Sequence, residues 1–238
     1  KGNDPEFNNA VISRITKNFG EYSKDQFANY LCQKIVELSS GAEIQKIIEA
    51  CLPEIIDISC STQGTRVMQK VIERIEEGRL SDIILQQLHG QVLTLVLDSN
   101  GNHVIQKCLA NFGNIRNQFI YDEISSKPVE VGTHKHGCCV IQRCIDYSND
   151  HQKMQIVQSV TSYAEELLQD QYGNYVIQYI LPLENFVDEK RKIAGYICKD
   201  LLNYCMQKFS SNVVEKCIKF QLYEVIQALA SLLQNEEF

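Results

Sequence analysis

Along this chain apolar residues recur as two adjacent positions followed, four residues later, by two more. Val104-Ile105 and Cys108-Leu109 show the pattern, and the same four slots hold Leu31, Cys32, Ile35 and Val36 near the start of the chain. They then hold Val67, Met68, Val71 and Ile72; Val140, Ile141, Cys144 and Ile145; Val176, Ile177, Ile180 and Leu181; and Val213, Val214, Cys217 and Ile218. Residues at i, i+1, i+4 and i+5 form one stripe on an α-helix, so each set predicts a helix with that stripe in a core. The residues just after the first apolar pair fall at 33, 69, 106, 142, 178 and 215, steps of 36, 37, 36, 36 and 37. A constant step of this size marks a solenoid of repeated supersecondary units.

The polar positions repeat in the same register. The first, second and fifth residues of the six copies are Asn29, Tyr30, Gln33; Thr65, Arg66, Gln69; Asn102, His103, Gln106; Cys138, Cys139, Gln142; Asn174, Tyr175, Gln178; and Ser211, Asn212, Glu215. First and fifth are four apart, so their side chains meet on one face, away from the apolar stripe. The second points about 100° from the first, toward a neighbouring copy. Helical patterns at 42–49, 80–88, 114–124 and 152–160 lie between the copies, which gives about three helices per repeat. Residues 8–23 read as one amphipathic helix through Val11, Ile12, Ile15 and Phe19. Gly64, Gly101, Gly137 and Gly173 precede four of the recurring helices, where a tight turn would use them. Leu222 to Leu233 reads as the opening of a seventh unit, with Val225, Ile226, Leu229, Leu232 and Leu233 as an apolar set awaiting a cover; self-association is expected at that end. Residues 1–7 are unpatterned and read as a flank, leaving 8–238 as one repeat domain.

Composition narrows the class. With 238 residues and 44% hydrophobic content, the chain can bury one substantial core. Its net charge of −7 supplies no global attraction to nucleic acid. The longest apolar run, 92–97, is too short to cross a bilayer, so no membrane partner is expected. Ten cysteines form no paired framework, and four of them occupy stripe slots as small hydrophobes; a reducing, cytoplasmic setting without disulfides is expected.

The wording of the copies resembles the PUF (Pumilio/FBF) family of RNA-binding repeat proteins, most closely in Gly173-Asn174-Tyr175-Val176-Ile177-Gln178, in 101–109 and in 210–217. The resemblance covers roughly residues 8–235. It implies an all-α, right-handed α-solenoid crescent of three-helix repeats, eight in the family, of which these six resemble the second to seventh. It implies that single-stranded RNA lies antiparallel along the concave face, one base per repeat, and that protein effectors dock on the convex face. First and fifth residues read base edges in this family: Asn with Gln reads uracil, Cys or Ser with Gln adenine, Ser with Glu guanine. The second residues Tyr30, Arg66, His103, Cys139, Tyr175 and Asn212 then occupy the stacking slots. Carried onto these copies the code gives 5′-GUAUAU-3′, within a UGUA-type element of message 3′ untranslated regions, with repression or decay as the outcome. Two positions depart from the family. Thr65 stands in a slot where Cys or Ser reads adenine, and Cys139 replaces a flat or cationic stacking group.

Other chemistries fit less well. Lys34, Lys70, Lys107, Arg143 and Lys216 follow the fifth position in five copies and Tyr179 in one; they read equally as a basic stripe along an RNA path or as a solvated charged face. His134, His136, Cys138 and Cys139 cluster like zinc ligands, but the spacing fits no standard zinc pattern and both cysteines already fill repeat slots. No metal or cofactor is expected. His103 has no acid or nucleophile in register, which argues against an enzyme. The rival reading is a protein-binding solenoid of HEAT or armadillo type, whose period of about 40–47 residues is longer than the one seen here.

Overall fold

The computed structural model describes residues 5–234, and every regular element among the described residues is a helix. The six recurring helices are Ala28–Leu38, Gly64–Arg74, Gly101–Asn111, Gly137–Tyr147, Gly173–Ile180 and Ser210–Lys219. Each has a short helix before it and an outer helix after it. The second copy is Ile55–Cys60, Gly64–Arg74 and Arg79–Leu88. Two compact units divide the chain, residues 1–120 with copies one to three and residues 121–238 with copies four to six. Within the first unit the recurring helices stack first on second and second on third. Within the other they stack fourth on fifth and fifth on sixth.

The apolar stripe is the core. All four slots are buried in copies two to five. The exceptions lie in the first and last copies: Leu31 is 56% exposed, Ile35 is half-buried and Ile218 is 45% exposed. Copies are also tied by polar links. Arg74 donates to the Glu37 and Ser39 carbonyls at the end of the first recurring helix, and Arg116 pairs with Glu77 and Asp82 across copies two and three.

Three expectations change. The segment 8–23 is two helices, Pro5–Ile15 and Phe19–Lys24, separated by a 3-10 turn at Thr16–Asn18; the second is the short helix of copy one. Helix Pro5–Ile15 also takes in part of the expected flank, of which residues 1–4 lie outside the described residues. At the other end Tyr223–Gln234 does not begin a seventh unit. It packs on Val187–Lys199 and Ser210–Lys219 as the outer helix of copy six, which buries Val225 and leaves Ile226 and Leu233 exposed.

The glycines have a different reason from the one expected. Gly64, Gly101, Gly137 and Gly173 do not take positive φ; among the described residues only Gly78, Gly90 and Gln221 do. What they lack is room. A Cβ at Gly137 would sit 2.2 Å from the Val131 carbonyl oxygen, and one at Gly64 2.4 Å from that of Ile58. The short helix presses a carbonyl of its last turn onto the start of the recurring helix, and a bare Cα lets it close.

Candidate nucleic-acid interface

The three recurring polar positions differ sharply in burial. Asn29, Thr65, Asn102, Cys138 and Asn174, all first-position residues, are buried. The second-position side chains Tyr30, Arg66, His103, Cys139, Tyr175 and Asn212 are all exposed. Fifth-position Gln33, Gln69, Gln106, Gln142 and Gln178 are half-buried, and Glu215 is exposed. Each copy therefore places a polar floor, a half-open amide or carboxylate above it, and a solvent-facing side chain beside it.

In the Asn copies the floor is held by backbone. Asn102 Nδ2 donates to the carbonyls of Asp98 at 2.9 Å and Ser99 at 3.0 Å, and its Oδ1 accepts from Gln106 Nε2 at 2.8 Å. Asn29 does the same with Asp25, Gln26 and Gln33, and Asn174 with Asp170, Gln171 and Gln178. Flipping any of these amides would set its oxygen against two carbonyl oxygens, so the orientation is fixed. What remains free is one lone pair on Asn Oδ1, one N–H of Gln and both lone pairs of Gln Oε1. That is a donor beside acceptors, the complement of a uracil edge.

The other copies differ where their residues differ. Thr65 Oγ1 accepts from Gln69 at 3.3 Å but spends its own proton on the Asn100 carbonyl of the next copy, at 2.9 Å. Cys138 gives Gln142 no oxygen; its Sγ lies 3.4 Å from the Lys135 carbonyl and 3.9 Å from Cys139 Sγ. In copy six Ser211 donates weakly to the Lys208 carbonyl and no hydrogen bond or ion pair engages Glu215 among the described residues, so that floor offers acceptors only. An open hollow of about 430 Å³ lies between copies four and five, where Cys139 and Tyr175 flank the gap and Gln142 and Gln178 line it, with Lys216 at its rim.

A capping residue not picked out in the sequence sets the start of the recurring helix in copies one to five. Asp98 Oδ1 accepts the N–H groups of Asn100 and Gly101 at 2.8 and 2.7 Å, and Asp25 and Asp170 act alike. Ser61 fills the slot in copy two. His134 fills it in copy four, Nδ1 accepting from the N–H groups of His136 and Gly137. The signal was legible as Asp three residues before the glycine at 98–101 and 170–173. The role accounts for His134 without a metal; among the described residues no group of three or more His, Cys, Asp or Glu is placed to hold one.

The basic stripe is internally paired. Lys34 meets Glu37 at 3.1 Å, Lys70 and Lys107 meet Glu73 at 3.1 and 2.5 Å, and Arg143 meets Asp146 at 2.9 Å. Tyr179 donates to Asp146 as well. Lys216 enters no such pair among the described residues.

Comparison with known proteins fits this geometry. The model of the Pumilio-family RNA-binding repeat matches six times, at residues 18–50, 54–89, 91–125, 129–161, 164–192 and 201–230, each span holding one recurring helix. A Pumilio domain-containing protein of Schizosaccharomyces pombe is 42% identical over 213 residues, 90% of this chain and 31% of that protein. Pumilio homolog 12 of Arabidopsis thaliana is 35% identical over 92% of this chain and 36% of its own length. The chain thus spans about a third of the length of these curated relatives. Among solved structures, the Puf4 RNA-binding domain bound to the HO endonuclease RNA 3′ UTR recognition sequence superposes with a TM-score of 0.86 at 32% identity, covering 94% of this chain and 71% of that one. A Puf4 variant with one threonine changed to cysteine and one cysteine to arginine, bound to the Cox17 RNA 3′ UTR recognition sequence, gives 0.87 at 31% identity over 97% of this chain and 77% of its own. Six matched repeats, an all-helical stack of three-helix units and relatives aligned across nine-tenths of the chain place this protein in the Pumilio (PUF) family of RNA-binding repeat proteins.

Proposed function

We propose that the chain binds single-stranded RNA in a sequence-specific way, one base to each copy, with no catalytic step. The observation that carries this is the contrast between copies. Three carry the same backbone-locked Asn–Gln pair, and the sixth replaces both members together with Ser211 and Glu215. A locked donor–acceptor pair suits uracil. An acceptor-only floor suits guanine, whose N1–H and N2–H₂ present two donors side by side. The RNA-bound structures of the Puf4 and Puf5p neighbours support RNA as the ligand. Read antiparallel, the six copies select 5′-GUAUAU-3′ inside a UGUA-type element. In the cell this reading makes the chain a cytoplasmic binder of message 3′ untranslated regions, acting with protein effectors to repress or destabilise them.

Thr65 and Cys139 tune the reading. They stand 74 positions apart, as do the threonine and cysteine changed in the Puf4 variant. Thr65 puts a methyl and a committed hydroxyl where a thiol or free hydroxyl would leave more room for adenine. Cys139 leaves the hollow beside Tyr175 without a second flat wall.

The test is a specificity swap. Ser211→Asn with Glu215→Gln copies the pair at Asn174 and Gln178 and leaves the buried Val213, Val214 and Cys217 untouched. Wild type and double mutant are titrated with 5′-UGUAUAU and 5′-UUUAUAU. The guanine RNA is expected to lose about 1–3 kcal/mol, the scale of one bidentate base contact, and the uracil RNA to gain. A mutant that still prefers guanine would remove Glu215 from the code.

A further inference from the structure

The carboxylates that pair the basic stripe sit at a repeat position of their own, four residues after the fifth. The residues there are Glu37, Glu73, Ala110, Asp146, Pro182 and Lys219. Two of the acids reach beyond their own helix. Glu73 holds Lys70 of its own copy and Lys107 of the next, with Oε1 and Oε2 each taken by one lysine. Asp146 holds Arg143 of its own copy and the Tyr179 hydroxyl of the next. The Glu73 carboxyl is held below the usual carboxylate range, first by the hydrogen bond from Lys107. Each stripe group lies one residue beyond a fifth-position residue, Gln in five copies and Glu215 in the sixth. In copies five and six Tyr179 and Lys216 line the hollow that Gln142 and Gln178 also line. At Lys70, Lys107 and Arg143 a phosphate following the bases therefore meets cations whose charge is already answered from within the protein, whereas Lys216 has no such acid among the described residues.

We propose that Glu73 and Asp146 are internal competitors of the RNA phosphates, limiting how far the backbone alone can hold RNA on this chain. The proposal rests on the RNA-binding reading above. To gain Lys70 or Lys107 a phosphate must displace Glu73, so a backbone contact nets little and measurable binding needs matched bases and stacking. Glu73 is thereby a specificity determinant that never touches a base. Ala110 and Pro182 give copies three and five no acid in this slot, so Glu73 alone answers for both Lys70 and Lys107.

Glu73→Gln and Asp146→Asn test it separately in the two units, with Glu49→Gln as the charge control. Glu49 lies on an outer helix and is bonded to Gln45, so its loss changes net charge by the same amount away from the stripe. Each protein is titrated across a salt series with 5′-UGUAUAU and with an oligocytidine heptamer that matches no copy. Freeing two lysines adds one or two phosphate contacts, so the slope of log affinity against log salt for Glu73→Gln is expected to steepen by about 0.7–1.4. Heptamer binding is expected to tighten roughly two- to tenfold at low salt. Asp146→Asn frees one arginine and is expected to move half as far, and Glu49→Gln to leave the slope unchanged. An unchanged slope in both stripe variants, or weaker heptamer binding, would overturn the proposal and make the acids braces that position the cations. Wild type that fails to prefer 5′-UGUAUAU over oligocytidine would instead overturn the RNA-binding reading itself.

Discussion

The two members of a proposed base-reading pair differ physically, and substitution separates them. Asn102 is buried and its side chain makes three hydrogen bonds, two of them to carbonyls of the turn that opens its own helix. Gln106 is half-buried and makes one, to Asn102. Asn102→Ala removes the two carbonyl bonds at about 1 kcal/mol each, and the Ser99 carbonyl is left poorly satisfied, so a loss of about 2–3 kcal/mol of folding stability is expected. Gln106→Ala loses one bond that water replaces at a half-open site, about 0.5 kcal/mol. Both should weaken 5′-UGUAUAU by about 1–3 kcal/mol, because either change removes one side of the uracil contact. Asn102→Asp is the sharper probe. It keeps the shape but turns a double donor into an oxygen facing two carbonyl oxygens, and it should cost more than Asn102→Ala. Urea unfolding at neutral pH supplies the stabilities, and RNA titration of the folded proteins supplies the affinities. If Asn102→Asp is as stable as wild type, or Asn102→Ala and Gln106→Ala cost the same, then the turn carbonyls do not hold the pair and the locked-amide argument fails.

Other consequences follow from single positions. Gly137→Ala, whose Cβ would lie 2.2 Å from the Val131 carbonyl, should lose about 1–3 kcal/mol or more, whereas Gly41→Ala, with open space around its Cβ, should gain about 0.5–1 kcal/mol; thermal melts of the two would show it. Cys139→Arg should tighten 5′-UGUAUAU by about 1 kcal/mol, by giving the base beside Tyr175 a flat cationic wall, and an unchanged affinity in titration would show that no base stacks there. With the stripe internally paired, wild-type binding should show a shallow salt slope, about two to four phosphates' worth, and a steep one would contradict the pairing. Asp25 is held below the usual carboxylate range, first by the Ala28 N–H and then by that of Phe27. Its folded value is thus below the unfolded one of about 4, so its contribution is present above that pH and lost as pH falls through the folded value; Asp25→Asn, which still caps but does not titrate, should flatten the acid limb of a stability–pH curve.

Most of the fold was legible because a stripe repeated six times at helical spacing predicts a solenoid of helical repeats. The slots from Val67 to Leu181 are buried as that spacing required. What escaped depends on atoms that no pattern displays. The glycines were recognisable as punctuation, but their cause is the carbonyl of a different helix, Val131 against Gly137 and Ile58 against Gly64. The stripe lysines were visible as charges, but the carboxylate at the next turn that answers Lys34, Lys70 and Arg143 could be weighed only once each distance was known. Copy six looked like the prelude to another unit because Tyr223–Gln234 has an apolar face of its own, and only its packing on Val187–Lys199 assigns it to the sixth copy.

The first-position residues have a second duty that polarity does not display, and it changes how the proposed code should be understood. Polarity placed Asn29, Asn102 and Asn174 on a surface facing the ligand. The structure buries them and spends their donors on backbone. A buried Asn is tolerated here because the turn before the helix leaves the carbonyl of Gln26, Ser99 or Gln171 without a backbone donor, and the amide satisfies it while adding a second bond to the preceding Asp carbonyl, which already accepts the Asn N–H. The first position is therefore part of the helix start as much as part of the reading surface, and its chemistry is constrained from below before any base arrives. Thr65 shows the consequence: its hydroxyl proton goes to Asn100 of the following copy, so a substitution there alters the seam between two copies as well as the proposed base preference. The fifth position has no such duty. Gln33, Gln106 and Gln178 bond only the Asn beside them and Glu215 bonds no backbone group among the described residues, and for that reason specificity should be easier to rewrite at the fifth position than at the first.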